Sequence, residues 1–382
     1  MLFQQGAYMQ LDINRCLNQM HNGVECSHCV SHCPGQALIL ANHQIYLVQD
    51  HCLGCGLCFG DCPTQVFGSS QWDETTIGQA VEAQEAEVTQ IFCGYHSTPY
   101  LCKEDQEKGA IQIPTCLSAI SKGMWYELGL LGGIELRLDE CQDCPMKSCL
   151  ERLKISLETA MEWLEASGHT PDFSLIYTAD KAKKRKKLQA VSTGLKVTSR
   201  RDLFLILMGR KHEDKPSGQT DMADGKEAQK RTGVNALPDW QKRLGDSYSR
   251  HFQGGGSPAF WPFIQMSTEC VNCGMCAKYC PTQALTIEVG EGECVHYFTS
   301  GHCLDCRICM LFCPTRSILR DRLPNAHPFQ KQAIFKTTVG KCKYCGAETI
   351  TGQDDLYYWC KEEPSEEDIL SDARKKLFGK LG

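Results

Sequence analysis

Two stretches of the chain carry thiols at a spacing that suits a metal cluster. Residues 270–281 read C-V-N-C-G-M-C-A-K-Y-C-P, and residues 303–314 read C-L-D-C-R-I-C-M-L-F-C-P. Both fit C-x2-C-x2-C-x3-C-P. In this pattern three close thiolates wrap three corners of an iron–sulfur cube, and the fourth is carried by the next turn to the other cube. The proline after it ends that turn. Cross-ligation assigns Cys270, Cys273, Cys276 and Cys313 to one [4Fe-4S] cluster and Cys303, Cys306, Cys309 and Cys280 to a second. The competing reading of these thiols is zinc, or no metal.

The same plan occurs near the start of the chain. CSHCVSHCPGQALIL and CLGCGLCFGDCPTQVF stand against CVNCGMCAKYCPTQALTI and CLDCRICMLFCPTRSIL. One N-terminal run is intact: Cys52, Cys55, Cys58 and Cys62-Pro63. The other is stretched, with Cys16-x9-Cys26-x2-Cys29-x3-Cys33-Pro34. Four cysteines remain, so a longer loop can still close a cube. The expected sets are Cys16, Cys26, Cys29 and Cys62, and Cys52, Cys55, Cys58 and Cys33. Alternatively, Cys16 does not ligate and the cluster is a three-iron form. His21, His28 and His32 lie in or beside this loop and are read as solvated side chains rather than ligands.

These two segments, about 120 residues together, resemble the 2[4Fe-4S] bacterial-type ferredoxin family. The resemblance implies a small α+β module with two hairpins and two short helices. It also implies single-electron tunnelling, with no acid, base or nucleophile supplied by the protein. No catalytic residue is therefore expected.

A third set of thiols lies at Cys93, Cys102, Cys116, Cys141, Cys144 and Cys149. Strand-like pieces at 88–92, 110–113 and 133–138 alternate with a helical stretch around 118–129, which reads as a small α/β layer. Thiols that follow strands of an open α/β sheet converge on one edge. The layout FCG, PTCLSA, LDECQDCPMKSC and then a long helix resembles the delta-subunit domain of methyl-viologen-reducing hydrogenases. That resemblance implies an additional [2Fe-2S] or [4Fe-4S] cluster and a link between hydrogenase and heterodisulfide reductase. A zinc site or a redox disulfide is the alternative. The tail holds Cys342-x2-Cys345-Gly and Cys360, a zinc-ribbon or rubredoxin-like knuckle with three local thiols. Cys294, His302 or His327 could complete a zinc site; Cys294 has no motif of its own.

These sites need elements to hold them. Leu150, Leu153, Leu157, Met161 and Leu164 recur at helical spacing, stopped by Gly168. Lys181–Lys187 is a basic run, and 209–236 is polar enough to read as a mobile tether. Ser199-Arg-Arg-Asp-Leu-Phe204 has the look of a twin-arginine signal but sits in mid-chain, so an amphipathic helix start is expected there. The expected organisation is α+β. Residues 1–80 form a first ferredoxin module and 86–170 the α/β cysteine domain. Residues 171–257 form a basic, flexible linker with short helices, 258–330 a second ferredoxin module, and 331–382 the knuckle with an acidic tail.

Composition narrows the rest. The chain has 382 residues, 26 of them cysteine, and a formal charge of −6. Such a near balance argues against a surface built for nucleic acid. The start of the sequence lacks the pattern of a secretory leader, and no apolar run is long enough to span a membrane. A reduced, cytoplasmic, metal-loaded protein is expected. Four oxidised cubes would add about −8 to the charge, since each carries about −2. No phosphate-cradling or dinucleotide motif occurs. The expected function is an electron-transfer subunit between catalytic subunits of a larger anaerobic oxidoreductase. Its expected partners are hydrogenase-, molybdoenzyme-, flavoprotein- or heterodisulfide-reductase-like. Contact with a membrane is expected only through partners. A reductase that binds substrate at the 93–149 cluster and a zinc-dependent scaffold or nucleic-acid-binding protein are the alternatives.

Overall fold

A short turn recurs after four of the cysteines. In each, the residue three beyond the cysteine is left-handed: Gln36 (φ 51°), Gln65 (54°), Gln283 (57°) and Arg316 (54°). Its N–H donates to the carbonyl of Cys33, Cys62, Cys280 or Cys313 respectively. In three of the turns the next N–H points back at the thiol. Ala37 donates to Cys33 Sγ (3.3 Å), Val66 to Cys62 Sγ (3.4 Å) and Ser317 to Cys313 Sγ (3.3 Å). The Cys-Pro repeat is thus a repeat of conformation as well as of letters.

The computed structural model describes residues 9–20, 24–69, 73–97, 99–102, 107–179, 185–190, 196–197, 236–350 and 355–361. His21, the tether at 209–235, the Ser199–Phe204 motif and the acidic tail beyond 361 lie outside these residues. The chain divides into two units: residues 1–260 with 324–327, and residues 261–323 with 328–382.

In the first unit, β1 (Met9–Leu11) pairs antiparallel with β4 (Phe67–Ser69). Between them lie α1 (Leu17–Met20), α2 (His28–Ser31), the hairpin of β2 (Leu38–Ala41) and β3 (Gln44–Leu47), and α3 (Leu57–Asp61). The hairpin turns on Asn42 and His43, both at positive φ, as a two-residue type I′ turn requires. Its inner face packs Leu38, Ile45 and Leu47 on Val66, Phe67, Cys16 and Cys62.

The rest of this unit is an α/β layer. β5 (Val88–Phe92) runs parallel to β7 (Gly109–Gln112) and β8 (Gly133–Arg137), and β8 runs parallel to β9 (Phe173–Ile176). β6 (Tyr100–Cys102) pairs with β10 (Arg185–Lys187) outside this sheet. β11 (Gln189–Ala190) and β12 (Lys196–Val197) close the antiparallel edge, giving the order β11-β12-β7-β5-β8-β9. α4 (Glu74–Glu82), α5 (Lys122–Leu131), α6 (Cys149–Ala166) and α7 (Asp239–His251) pack in contact, α5 touching the other three. Trp125, Trp163, Ile91, Phe92 and Leu136 are fully buried.

The span 171–257 therefore differs from a plain linker. β9 adds a strand, and α7 packs on α5 so closely that a Cβ on Gly123 would lie 2.6 Å from Trp240. Arg243 of α7 pairs with Glu74 (2.7 Å) and Glu127 (3.3 Å). Trp240, Leu244 and Tyr248, four apart and buried, form the packed stripe.

The second unit repeats the first module's order. β13 (Phe263–Met266) pairs with β16 (Ile318–Asp321). Between them lie α8 (Met275–Lys278), the hairpin of β14 (Leu285–Gly290) and β15 (Glu293–Phe298), and α9 (Ile308–Leu311). β17 (Gln332–Lys341) and β18 (Glu348–Ile350) extend that hairpin into a sheet of order β14-β15-β17-β18. α10 (Tyr358–Lys361) follows. Among the described residues, no helix is long and apolar enough to cross a membrane.

Candidate metal centres

All 26 cysteines are free thiols. Cys16, Cys26, Cys29 and Cys62 line one cavity. Cys33, Cys52, Cys55 and Cys58 line another, of about 160 Å³, which Cys29 also borders. Cys270, Cys273, Cys276 and Cys313 line a third. Cys303, Cys306, Cys309 and Cys280 form a mutually repelling group. Each set is one that the spacing assigns.

Local conformation explains how the x2 loops converge. In the three compact runs, the second and fourth residues after the first cysteine are left-handed. They are Gly54 and Gly56, Asn272 and Gly274, and Asp305 and Arg307. The stretched run does without this. There Ser27 has φ −121°. Buried Asn18 does the work instead: its side chain donates to Cys26 O and accepts from Cys26 N, both at 2.8 Å. The insertion is thereby pinned and Cys26 is returned to Cys16. Asn18 was invisible in the cysteine pattern.

The thiol environments fit an iron–sulfur group. Burial, and then neighbouring thiols, push Cys29 and Cys276 up to about 12. A thiol so placed gives up its proton readily only to a metal. Backbone N–H groups are also aimed at the sulfurs of Cys33, Cys62 and Cys313, and hydrogen bonds to ligand sulfurs tune an iron–sulfur centre. Asp305 N donates likewise to Cys303 Sγ (3.4 Å).

In the α/β layer, Cys93 follows β5, Cys116 lies beyond β7 and Cys141 beyond β8, at the carboxyl edge of the sheet. Cys93, Cys116, Cys141, Cys144 and Cys149 line one small cavity. Burial first, then Cys93, Cys116 and Cys144, raise Cys141 to about 12. Met146 N donates to Cys144 Sγ (3.4 Å). Cys102 is placed apart. It sits on β6 opposite Arg185, 2% exposed, and does not line this cavity.

The first module docks against this edge. Tyr95 Oη donates to Gly54 O (2.7 Å), and a Cβ on Gly56 would meet Ala119 Cβ at 2.8 Å. Arg152 of α6 holds Asp61 at the end of α3 (2.5 Å), and Asp61 also bonds His32 Nδ1 (2.6 Å). Between the two surfaces opens a cleft of about 900 Å³, lined by Asp50 and Cys52 on one side and Cys93, His96, Arg137 and Cys144 on the other. Several of its charged side chains pair with one another. Buried Arg137 bonds Tyr100 Oη (2.7 Å) and Asp139 (3.2 Å), and His96 Nε2 reaches Asp139 (3.4 Å). Burial alone would raise Asp139, but His96 and Arg137 outweigh it and hold it at about 2.

In the tail, the thiols of Cys342, Cys345 and Cys360 lie within 4.8 Å of one another. Cys342 and Cys345 follow β17, and α10 brings Cys360 back. Backbone N–H groups, Tyr357 foremost, lower Cys342 to about 6. Among the described residues, no further Cys, His, Asp or Glu joins the three. Cys294 is engaged elsewhere. It donates to Asn272 Oδ1 (3.2 Å), which His296 Nε2 also meets (2.8 Å), so Cys294 braces the Cys270–Cys273 loop. His302 packs near Phe329, and His327 falls in the first unit.

Fold and thiol geometry together define the class as an iron–sulfur protein of mixed α and β structure. Residues 269–317 match the 4Fe-4S dicluster domain family. No curated protein matches the chain. The match and the cysteine content support [4Fe-4S] binding and an electron-transfer role.

Proposed function

We propose that the protein relays single electrons through four [4Fe-4S] clusters and a fifth iron–sulfur centre between catalytic subunits of a larger anaerobic oxidoreductase. The carrying observation is the repeated arrangement of two thiol sets around a hairpin, once in each unit, with a further set at the sheet edge against the first. The fifth centre draws its ligands from Cys93, Cys116, Cys141, Cys144 and Cys149. The bound clusters supply one-electron chemistry, and the chain supplies thiolates, N–H donors and exclusion of water. The pairing of the 1–80 and 258–330 segments supports two ferredoxin-like modules, and the 86–170 layer supports a domain like the hydrogenase delta subunit. Cys342, Cys345 and Cys360 are the zinc ligands in this reading. Its partners are redox subunits of hydrogenase, molybdoenzyme, flavoprotein or heterodisulfide-reductase type, in a reducing cytoplasm.

Anoxic purification with iron, sulfide and zinc analysis tests this. The relay requires about 16 iron for four cubes and more for the fifth centre. Zinc in place of iron would end the proposal. The cleft beside Cys93 and Cys144 favours a second reading, in which a substrate meets the fifth centre directly. Turnover of a disulfide or oxyanion by the isolated chain, with an artificial electron donor, distinguishes that reading from a relay.

A further inference from the structure

The hydrogen bond between His32 and Asp61 has a third group beside it. His28 opens α2 and His32 caps its end, so the two imidazoles stand one turn apart, with ring centroids separated by 6.0 Å. Each offers a ring nitrogen and Asp61 offers a carboxylate oxygen. These three atoms lie within 4.8 Å of one another. His32 Nδ1 meets Asp61 Oδ2 at 2.6 Å, and Arg152 takes the other oxygen, Oδ1, at 2.5 Å. The Asp61 side chain is 7% exposed, while His28 is open to solvent.

A surface ion pair that ties two turns together would account for His32 and Asp61, but not for His28. The second module shows that the fold does not need such groups. His28, His32 and Asp61 directly precede Cys29, Cys33 and Cys62. The matching places before Cys276, Cys280 and Cys313 hold Met275, Tyr279 and Phe312. There Tyr279 and Phe312 stack, with centroids 4.1 Å apart and planes at 18°. One module fills these three places with apolar and aromatic groups, the other with three metal-ligating groups.

We propose that His28, His32 and Asp61 form a site for a divalent transition-metal ion of the zinc, nickel or cobalt class, separate from the thiol centres. Two imidazoles and one carboxylate suit such an ion better than Ca2+ or Mg2+, which take oxygen ligands. Its entry replaces the hydrogen bond between His32 and Asp61, whose lone pairs on Nδ1 and Oδ2 turn to the metal; no electron is transferred. Arg152 keeps Oδ1 and so orients the carboxylate, as outer partners of metal ligands do. Three protein ligands leave a coordination position open. Arg152 opposes a second cation, but the two cubes proposed for this module would carry about −4 between them. His32 and Asp61 also line the cavity of Cys33, Cys52, Cys55 and Cys58. An ion held there brings positive charge to that centre and favours its more negative, reduced state. The binding site stands without the relay reading; its effect on the centre rests on that reading and deepens it.

The test uses the full chain, reconstituted under anoxia, as wild type, His28→Ala and the non-ligating His28→Gln. His28 is exposed, so both variants should fold. Iron and sulfide per chain are measured before and after Zn2+ is added, and equilibrium dialysis then counts bound zinc. At the same free zinc, the wild type should hold one equivalent more than either variant. Loss of the His28 ligand should weaken that equivalent by about 100-fold or more, since even an outer-shell partner is worth about 10–100-fold. X-ray absorption at the zinc edge should give the extra ion nitrogen and oxygen neighbours. At fixed poise, zinc should raise the reduced-to-oxidised ratio of a first-module centre severalfold in the wild type and leave it unchanged in the variants. Equal zinc in all three chains, or an extra ion with sulfur neighbours, would overturn the site. An unchanged ratio with the extra zinc bound would overturn its effect on the centre. A wild-type chain without iron would instead defeat the relay reading, while the zinc count still decides the site.

Discussion

At the scale of single residues, the centres depend on side chains that carry no metal chemistry. Asn18 is the clearest case. It is 1% exposed and its amide satisfies both backbone groups of Cys26. Asn18→Ala leaves those part-buried groups unpaired, at about 1 kcal/mol. More importantly, it frees the inserted loop, so the thiol of Cys26 no longer meets those of Cys16, Cys29 and Cys62. The expected outcome is loss of iron from that centre alone, read as iron per chain and as one missing EPR component. Asp139 makes a different point. It is 3% exposed in its side chain and anchors both Arg137 and His96. Asp139→Asn leaves Arg137 without its counter-charge, and breaking a buried pair costs about 3 kcal/mol. Denaturation of the anoxic protein should show that loss; a change near zero would mean that Tyr100 and the ring of Phe92 suffice for Arg137.

At the scale of elements, the cysteine runs are tightly wound loops whose backbone the sequence encodes through glycine, asparagine and aspartate. Gly56 and Gly274 hold equivalent places, with φ 72° and 74°. Forcing alanine into a left-handed position costs about 1–2 kcal/mol. Gly274→Ala should cost about that, because no atom lies within 4 Å of the added methyl. Gly56→Ala should cost more, since its methyl would press on Ala119 at 2.8 Å and push the first module off the sheet edge. Unequal shifts in denaturation midpoint confirm this; equal ones refute the tight docking. Arg307 already sits at the third such place, with φ 59°, which shows that the conformation itself accepts a side chain. Much of this was legible beforehand. The thiol spacing gives the four sets, and the α/β strands lie within a residue of their expected bounds. The helix on Cys149–Ala166 follows the periodicity of its leucines. What was not legible depends on contacts distant in sequence. α7 reads as polar until Trp240, Leu244 and Tyr248 are seen to pack on α5. Cys102 looks like a ligand equal to its neighbours until the fold places it on β6, away from the cavity that the other five line.

At the scale of the whole molecule, two kinds of core hold the chain together, and they should respond differently to metal. The core of the first module consists of Cys16, Leu38, Cys62, Val66 and Phe67, with Cys29, Cys33 and Cys58 packed against it. In the second unit, Cys276 lies in a core bordered by Cys280, Cys303, Cys309 and Cys313. More than a third of the residues in each core are cysteines, and thiolates held apart by iron repel one another without it. Metal binding is therefore folding free energy in these segments. The α/β layer is built otherwise, around fully buried Ile91, Phe92, Trp125, Leu136 and Trp163. Its thiols sit at the edge of the sheet, outside that apolar core. Removing iron under anoxia with a chelator should therefore unfold the chain in part. Amide hydrogen exchange in residues 9–69 and 263–321 is expected to rise to near that of an unstructured chain. Strands β5, β7 and β8, and helices α5 and α6, should keep most of their protection. Reconstitution with iron and sulfide should restore the first two segments together with their visible absorbance. Uniform loss of protection, reaching β5 and β8, would show instead that the α/β layer also needs its centre to fold.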